Sequence, residues 1–282
     1  MDWKDSRVLI TGAASGIGAC VARRLAAKGA VVGLVDIDAR RMADVLKDCQ
    51  RESSESCSWV ADLADTELAE RVALEAWRQL GHIDVLINNA AMPSRGPVNR
   101  INYQLIEMVM RVNFLAPVRM TLAVLPGMLK RRSGTIVNVS SIDGRIGAPG
   151  MSTDAASKFA LCGWSESIAL DLWNSGVDIR LINPGPIDTE FWHDPMHAVE
   201  PYDGPMVPVE EAVDTLLEAL ADGRFECYIP TELESAVQWK TKEIEQFMTG
   251  LVTMLRQKDE HPGEWGCAEE WDYDRRGAPR SN

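Results

Sequence analysis

Two kinds of apolar pattern alternate along this chain. Short, nearly continuous apolar runs occupy Arg7–Ile10, Val31–Val35, Ser58–Ala61, Val85–Asn88, Gly134–Val139 and Val177–Ile182, with Cys227–Ile229 as a seventh candidate. They read as strands buried on both sides. Between them, apolar residues recur every three or four positions. This spacing predicts helices near Ile17–Lys28, Arg40–Lys47, Glu67–Leu80, Asn102–Lys130, Ala155–Trp173 and Val209–Ala221. Strands that are apolar on both faces need helices on both faces, and right-handed crossovers then give a doubly wound parallel α/β sheet of about seven strands. A last pattern runs from Glu234 to Gln257, where Val237, Ile244, Phe247, Met248, Leu251, Val252 and Leu255 share one helical face. It is expected to pack over a substrate cleft or against another subunit rather than on a membrane. Residues 1–257 are read as one domain, with a substrate loop at about 190–208, and the polar residues 258–282 as a tail.

Charge and composition narrow the partners. The 282 residues carry a net charge of −13, which repels a phosphate backbone and argues against nucleic acid. The strongest basic cluster is only Lys130-Arg131-Arg132. Six cysteines at 20, 49, 57, 162, 227 and 267 form no CxxC pair and no zinc spacing, so no metal is expected and reduced thiols in a cytoplasm are. No apolar run reaches bilayer length, and the start of the chain lacks the pattern of a signal peptide.

The first strand leads into Thr11-Gly12-Ala13-Ala14-Ser15-Gly16-Ile17-Gly18 and then a helix. In a Rossmann sheet, such glycines let the backbone approach a pyrophosphate seated at the helix N-terminus. Asp36 ends the second strand, 20 residues after Gly16. A carboxylate there accepts from both ribose hydroxyls and repels a 2′-phosphate. No Arg or Lys stands at Ser15 or Ile37, and Arg40 and Arg41 fall on the next helix, so NAD is expected over NADP.

These motifs resemble the short-chain dehydrogenase/reductase family. TGAASGIG is similar to its TGxxxGxG turn, and Asn88-Asn89-Ala90-Ala91 to its NNAG motif, with Ala91 in place of glycine. Asp62-Leu63 falls where the family flanks adenine. Asn183-Pro184-Gly185-Pro186-Ile187-Asp188-Thr189 resembles the PG motif beside the nicotinamide. The resemblance spans roughly residues 6–230 and implies cofactor contacts from Gly12, Ser15, Gly16, Ile17, Gly18, Asp36, Asp62, Leu63, Asn89, Ala90, Lys158, Pro184, Gly185, Ile187 and Thr189. It also implies that Asn113 helps hold a proton-relay water.

The catalytic end departs from that pattern. The family places a tyrosine 13 residues after its catalytic serine and a lysine 17 after it. Ser141 and Lys158 keep this spacing, but position 154 is aspartate. In the family the tyrosine exchanges a proton with the substrate oxygen, the serine polarises the carbonyl, and the lysine lowers the tyrosine pKa and binds the ribose. An aspartate carboxyl lies about 4 Å nearer the backbone than a tyrosine hydroxyl, beyond direct hydrogen-bond reach. Four residues apart on a helix, Asp154 and Lys158 are expected to attract each other, keeping Asp154 ionised and a weak acid. Tyr202, His193 and His197 in the substrate loop are alternative proton donors but read better as surface residues. Phe191, Trp192 and Met196 suggest an apolar lid or a simple packed loop.

The expectation is an NAD-dependent oxidoreductase with an impaired or altered proton relay, acting on a small organic molecule. An amine or imine would suit Asp154, because hydride transfer to an iminium needs no accompanying proton. A carbonyl reached through a bridging water is the other version. A nucleotide-binding protein without turnover, or an inactivated variant of an alcohol/ketone dehydrogenase, are the alternatives. A homo-oligomer, tetramer or dimer, is expected. Its interface would lie on the helices Asn102–Lys130 and Ala155–Trp173, which carry Met108, Met110, Phe114, Met120, Leu161, Trp164 and Leu172.

Overall fold

The computed structural model describes residues 2–193 and 204–257. Seven strands form one sheet: β1 (Arg7–Thr11), β2 (Val31–Asp36), β3 (Cys57–Val60), β4 (Val85–Asn88), β5 (Gly134–Val139), β6 (Val177–Pro184) and β9 (Glu226–Ile229). Every pairing in it is parallel, and the spatial order is β3-β2-β1-β4-β5-β6-β9. The order reverses between β1 and β4. Chains leaving the carboxyl ends of these two strands diverge to opposite faces, which opens a crevice there.

Helices α1 (Gly16–Ala27), α2 (Ala39–Glu52) and α7 (Val209–Asp222) cover one face. Their Val21, Leu25, Met42 and Leu216 pack on Val8, Ile10 and Leu34 of the strands. On the other face, α3 (Thr66–Leu80) and α5 (Ala116–Arg131) bring Val72, Leu80, Met120, Val124 and Met128 onto Leu9, Leu86 and Ile136. Helix α6 (Ser152–Asp171) completes this layer beside β6. Alternate residues of the central strands thus serve opposite cores, which is why most of their positions are apolar.

Three features differ from the sequence pattern. The helix expected over Asn102–Lys130 is present as Tyr103–Arg131 but runs through a π-helical turn at Arg111–Leu115, between α4 (Tyr103–Met110) and α5, which the pattern did not signal. Asn102 caps α4 by accepting from the Leu105 N–H at 2.7 Å. Taken together, Tyr103–Arg131 is long and apolar enough to cross a bilayer, with mean hydropathy 1.4 over its best window. This corrects the reading that no stretch reaches that length. Glu107, Arg111 and Arg119 interrupt the apolar run in the sequence, whereas Leu105, Val109, Met120, Val124 and Met128 are buried in the fold.

The terminal pattern is two helices, not one. Helix α8 (Leu233–Lys242) and helix α9 (Ile244–Gln257) meet at Glu243, whose φ of −136° leaves helical geometry. The turn lets Trp239 pack edge-on against Phe247, with ring centroids 5.1 Å apart. A two-stranded pairing of β7 (Ile187–Asp188) with β8 (Val207–Pro208) was also not anticipated. It brackets the expected substrate loop, of which Tyr202, His197 and Met196 lie outside the described residues, as does the tail 258–282.

The expected interface residues are also partly corrected. Met120, Leu161 and Leu172 turn into their own core. Leu122 and Leu129 on α5, and Phe159 and Leu170 on α6, are the apolar side chains those two helices expose. Trp173, just after α6, is 86% exposed.

Candidate active site

The glycine turn sits at the crevice between β1 and β4. Gly12 has φ +64°, a left-handed conformation costly for a side-chain-bearing residue. A Cβ there would lie 2.8 Å from Ala90 Cα. At Gly18 a Cβ would lie 2.1 Å from the Gly12 carbonyl oxygen. Ser15 occupies the N-cap of α1 but makes no side-chain capping bond, so the first-turn amides remain available to an anion. Thr189 lies over this turn, since a Cβ on Gly16 would meet its Cγ2 at 3.2 Å. Pro184 ends β6, Gly185 follows it and Ile187 is buried in β7; Thr189 is the residue by which this segment reaches the glycine turn.

Asn89 is bonded to the glycine turn itself. Its Nδ2 donates to the carbonyls of Thr11 at 3.0 Å and Gly12 at 3.2 Å. Thr11 Oγ1 in turn accepts from the N–H groups of Asn89 and Ala90, each at 3.0 Å. The pair Asn89-Ala90 therefore braces the turn from behind. Asp36 closes the other end of the crevice. Its two carboxylate oxygens accept from the N–H groups of Ala14 and Asp38, each at 2.9 Å. Spare lone pairs on both oxygens are left for ribose hydroxyls. Asp62 stands exposed just beyond β3, and Leu63 is buried. Arg41 pairs with Asp38 and Glu190. These residues fit a dinucleotide: a cradle that no Cβ could enter, helix amides without a cap, and a carboxylate at the ribose end.

Ser141, Asp154 and Lys158 come together at the ends of β5 and α6. Ser141 caps the turn after β5, where its Oγ accepts from the Asp143 N–H at 3.0 Å and lies 3.3 Å from Asp143 Oδ2. Asp154, in the first turn of α6, is only 5% exposed. Its Oδ2 accepts from the Ser94 N–H at 3.1 Å, and its Oδ1 is buried with no hydrogen-bond partner. Lys158 is buried, and its Nζ donates to the Val139 carbonyl at 3.1 Å. Asn113, buried in the π turn, uses its amide on the main chain of Met92 at 2.8 and 3.2 Å and on Ser157 Oγ at 3.1 Å. It pins the loop after β4 to α6, and its side chain is thereby committed to protein groups.

This geometry overturns the expected Asp154–Lys158 ion pair. No contact within 4.0 Å joins the two, because the lysine turns to the end of β5 instead. Burial dominates, and it pushes the Asp154 carboxyl up to about 7 against the pull of the Ser94 N–H and the Lys158 charge. Burial likewise holds the Lys158 ammonium below its usual range. Burial thus holds the Asp154 carboxyl above the usual carboxylate range.

The short chain dehydrogenase family matches residues 6–199, in sequence order with these motifs. The chain belongs to that family. Similar proteins include the CLA biosynthesis dehydrogenase/reductase of Lactiplantibacillus plantarum, 28% identical over 269 residues, which cover 86% of this chain and 94% of that protein. The dehydrogenase/reductase SDR family member 7B of Danio rerio is 34% identical over 194 residues, which span 67% of this chain and 63% of that protein. Among solved structures, a short-chain dehydrogenase from Sphingobium yanoikuyae in complex with NADPH superposes with a TM-score of 0.75 at 29% identity, covering 89% of this chain and 97% of that one. A family member from Burkholderia phymatum in complex with NAD gives 0.79 at 21% identity, with 87% and 96% covered, and shares the fold. The family is one of oxidoreductases, and these solved members hold a nicotinamide cofactor.

Sequence reasoning missed Ser94, Arg95 and Asp143. Arg95 and Asp143 act electrostatically on Asp154. None belongs to a motif. Ser94 and Arg95 come from the loop after β4, and only their distance in the fold brings them to α6. The SSIDG segment did carry one signal, a carboxylate two residues after the catalytic-type serine.

Proposed function

We propose that this protein is an NAD(H)-dependent oxidoreductase in which Asp154 exchanges the proton that accompanies hydride transfer to or from a small organic substrate. The observation that carries this reading is the buried Asp154 carboxyl, which stands 13 residues after Ser141, makes no ion pair with Lys158 and is pushed up to about 7. A proton-exchanging group works best when its pKa lies near the working pH. The bound cofactor would supply or accept the hydride. Ser141 would donate a hydrogen bond to the reacting oxygen, and the protonated Asp154 would supply the proton through a bridging water. The Ser94 amide holds one carboxyl oxygen and leaves the other to the reaction. Gly12, Gly16, Gly18, Ser15 and Ile17 would hold the pyrophosphate, Asp36 the ribose, Asp62 and Leu63 the adenine. Thr189, Ile187, Gly185 and Pro184 would border the nicotinamide.

The sign of the pH dependence follows. Reduction needs the protonated carboxyl, so its rate should fall as pH rises through about 7, while oxidation should gain. Above that pH the carboxylate would instead stabilise a cation, which keeps iminium substrates within the reading. A panel of ketones, imines, alcohols and amines with NADH or NAD tests it. Tight cofactor binding with no turnover on any of them would favour a nucleotide-binding protein.

NAD is proposed over NADP because Asp36 points its charge at the ribose end and Arg41 is engaged by Asp38 and Glu190. Titration with both reduced cofactors should show tighter NADH binding, and Asp36→Ala should narrow the gap. Equal affinities in the unmodified protein would refute the preference.

A homo-oligomer, dimer or tetramer, is proposed from the apolar side chains that α5 and α6 leave exposed, and a cytoplasmic location from the free cysteines among the described residues. Neither nucleic acid nor a membrane is proposed as a partner. Light scattering at micromolar concentration should give at least twice the mass of one chain. Leu122→Asp should lower that mass, and a monomeric unmodified protein would count against the surface.

A further inference from the structure

One carboxylate oxygen at the β9 edge of the sheet gathers three donors. Glu226 opens β9, and its Oε1 accepts from Arg145 Nε at 2.8 Å, Asn183 Nδ2 at 2.6 Å and the Tyr228 hydroxyl at 2.9 Å. The donors come from three segments. Arg145 closes the turn after β5 that Ser141 opens. Asn183 stands at the end of β6, directly before Pro184 and Gly185. Tyr228 lies on β9 itself. Arg145 also reaches Glu166 Oε1 on α6 at 2.5 Å, and its carbonyl accepts from Lys240 of α8.

Main-chain pairing of β5 with β6 runs to Val139 and Ile182, and the Ser140 N–H still donates to the Ile182 carbonyl at 2.7 Å. Beyond that point side chains connect the serine turn to β6. Asn183 Oδ1 faces Cys162 Sγ at 3.7 Å, and Cys162 Sγ lies 3.2 Å from Ser140 Oγ. Both segments are tightly packed. A Cβ on Gly144 would lie 2.6 Å from Ser140 Oγ and 3.0 Å from the Lys158 carbonyl, and one on Gly185 would lie 2.7 Å from Leu233 Cδ1. With so little free space, a shift at Arg145 or Asn183 is passed on to Ser141 or Gly185 rather than absorbed. Asn183 is fully buried, so loss of its acceptor would leave its amide unsatisfied.

We propose that Glu226 is a positioning residue of this site: its carboxylate fixes the Ser141 turn and the Pro184-Gly185 segment relative to each other. This rests on the reading above, in which Ser141 meets the reacting oxygen while Pro184 and Gly185 border the nicotinamide. Glu226 acts through Arg145 on the first segment and through Asn183 on the second. Hydride transfer tolerates little displacement of the reacting atoms, and a misplacement of about 1 Å costs about 10²-fold. Burial and the Glu226 carboxylate together hold the Tyr228 phenol above its usual range, so this tyrosine stays a donor to Glu226.

The test compares the full-length unmodified chain with Glu226→Leu and Glu226→Gln, well below their melting temperatures and with circular dichroism to establish folding. Leucine keeps the bulk but accepts no bond, whereas the glutamine amide oxygen can still accept from Arg145 and Asn183. On any substrate that turns over, leucine should lower kcat by at least about tenfold with KM little changed, and glutamine should recover part of that loss. NADH Kd should stay the same in all three, because the glycine turn and Asp36 are untouched. The emission of bound NADH reads the nicotinamide end without turnover. It should weaken with leucine, as the ring gains freedom beside a loosened border, and return towards the original with glutamine. A leucine variant that melts earlier but keeps kcat and bound-NADH emission overturns the proposal, since Glu226 would then brace only the edge strand. So does a glutamine variant that recovers nothing. If leucine prevents folding, Arg145→Met removes the arm to the serine turn and should lower kcat in the same way; an unchanged kcat there overturns the proposal. Absence of turnover in the unmodified protein would instead remove the proposed oxidoreductase activity, and the NADH emission alone would then decide the role of Glu226.

Discussion

Asp154→Asn should lower reductive turnover by roughly 10²- to 10⁴-fold, the range for losing a positioned general acid. The substitution is nearly isosteric. An asparagine Oδ1 can still accept from the Ser94 N–H, so the loop after β4 should stay in place. What is lost is the exchangeable proton and the charge. NADH affinity should stay within error, because the glycine turn and Asp36 are untouched. Steady-state kinetics and NADH fluorescence titration read the two effects separately. Asp154→Tyr is a different experiment here from what the sequence alone suggests. Position 154 is buried under Ser94, and a phenol would have to displace that loop. Overpacking of this kind typically costs about 1–3 kcal/mol. The tyrosine variant is therefore expected to melt at a lower temperature, whatever its activity. Unchanged turnover in the asparagine variant would show that the proton passes elsewhere.

The second large effect is expected at Gly18. A methyl group there would sit 2.1 Å from the Gly12 carbonyl oxygen and 2.6 Å from Asn89 Nδ2. Neither neighbour is free to move. The carbonyl is main chain, and the amide is the brace that holds Thr11 and Gly12. Gly18→Ala must open the turn, at about 1–3 kcal/mol of stability. The amides that converge on the pyrophosphate position then diverge, and NADH affinity should drop by at least about tenfold, equivalent to about 1.4 kcal/mol. Gly163→Ala is the control. It lies on α6 with nothing within 4 Å of the added methyl. Helix propensity alone should make it neutral or stabilising by about 0.5–1 kcal/mol. Thermal melts and isothermal titration of both variants check the contrast. Intact NADH binding by Gly18→Ala would mean that the turn is not the cofactor's seat.

The sheet and the dinucleotide end were legible because their determinants are local. Val31 to Val35 of β2 form an unbroken buried run, which only a sheet covered on both faces explains. The glycine turn and Asp36 are read from spacing along one βαβ unit. The catalytic end was legible only as a set of residue types. Four-residue spacing on α6 suggested that Lys158 would hold Asp154 ionised. The fold instead gives the lysine a partner at Val139, 19 residues away, and gives Asp154 a cover from Ser94, 60 residues away. Burial of a single polar side chain has no local signature, and it is burial that sets the acidity here. The π-helical turn at Arg111 and the break at Glu243 were invisible for a similar reason. Neither is marked by proline or glycine, and each follows from how the helices dock. For Asn89 the motif reports its place beside the turn, whereas the bonds of its amide to the Thr11 and Gly12 carbonyls emerge only in the fold.

The most direct test is the rate of NADH consumption by the unmodified protein from pH 5 to pH 9, on matched ketone and imine substrates, with Asp154→Asn run alongside. The predicted result is measurable ketone reduction whose rate falls with an apparent pKa of about 7 and whose pH dependence disappears in the asparagine variant. A flat profile, or the same limb in both proteins, would contradict the assignment of the proton to Asp154.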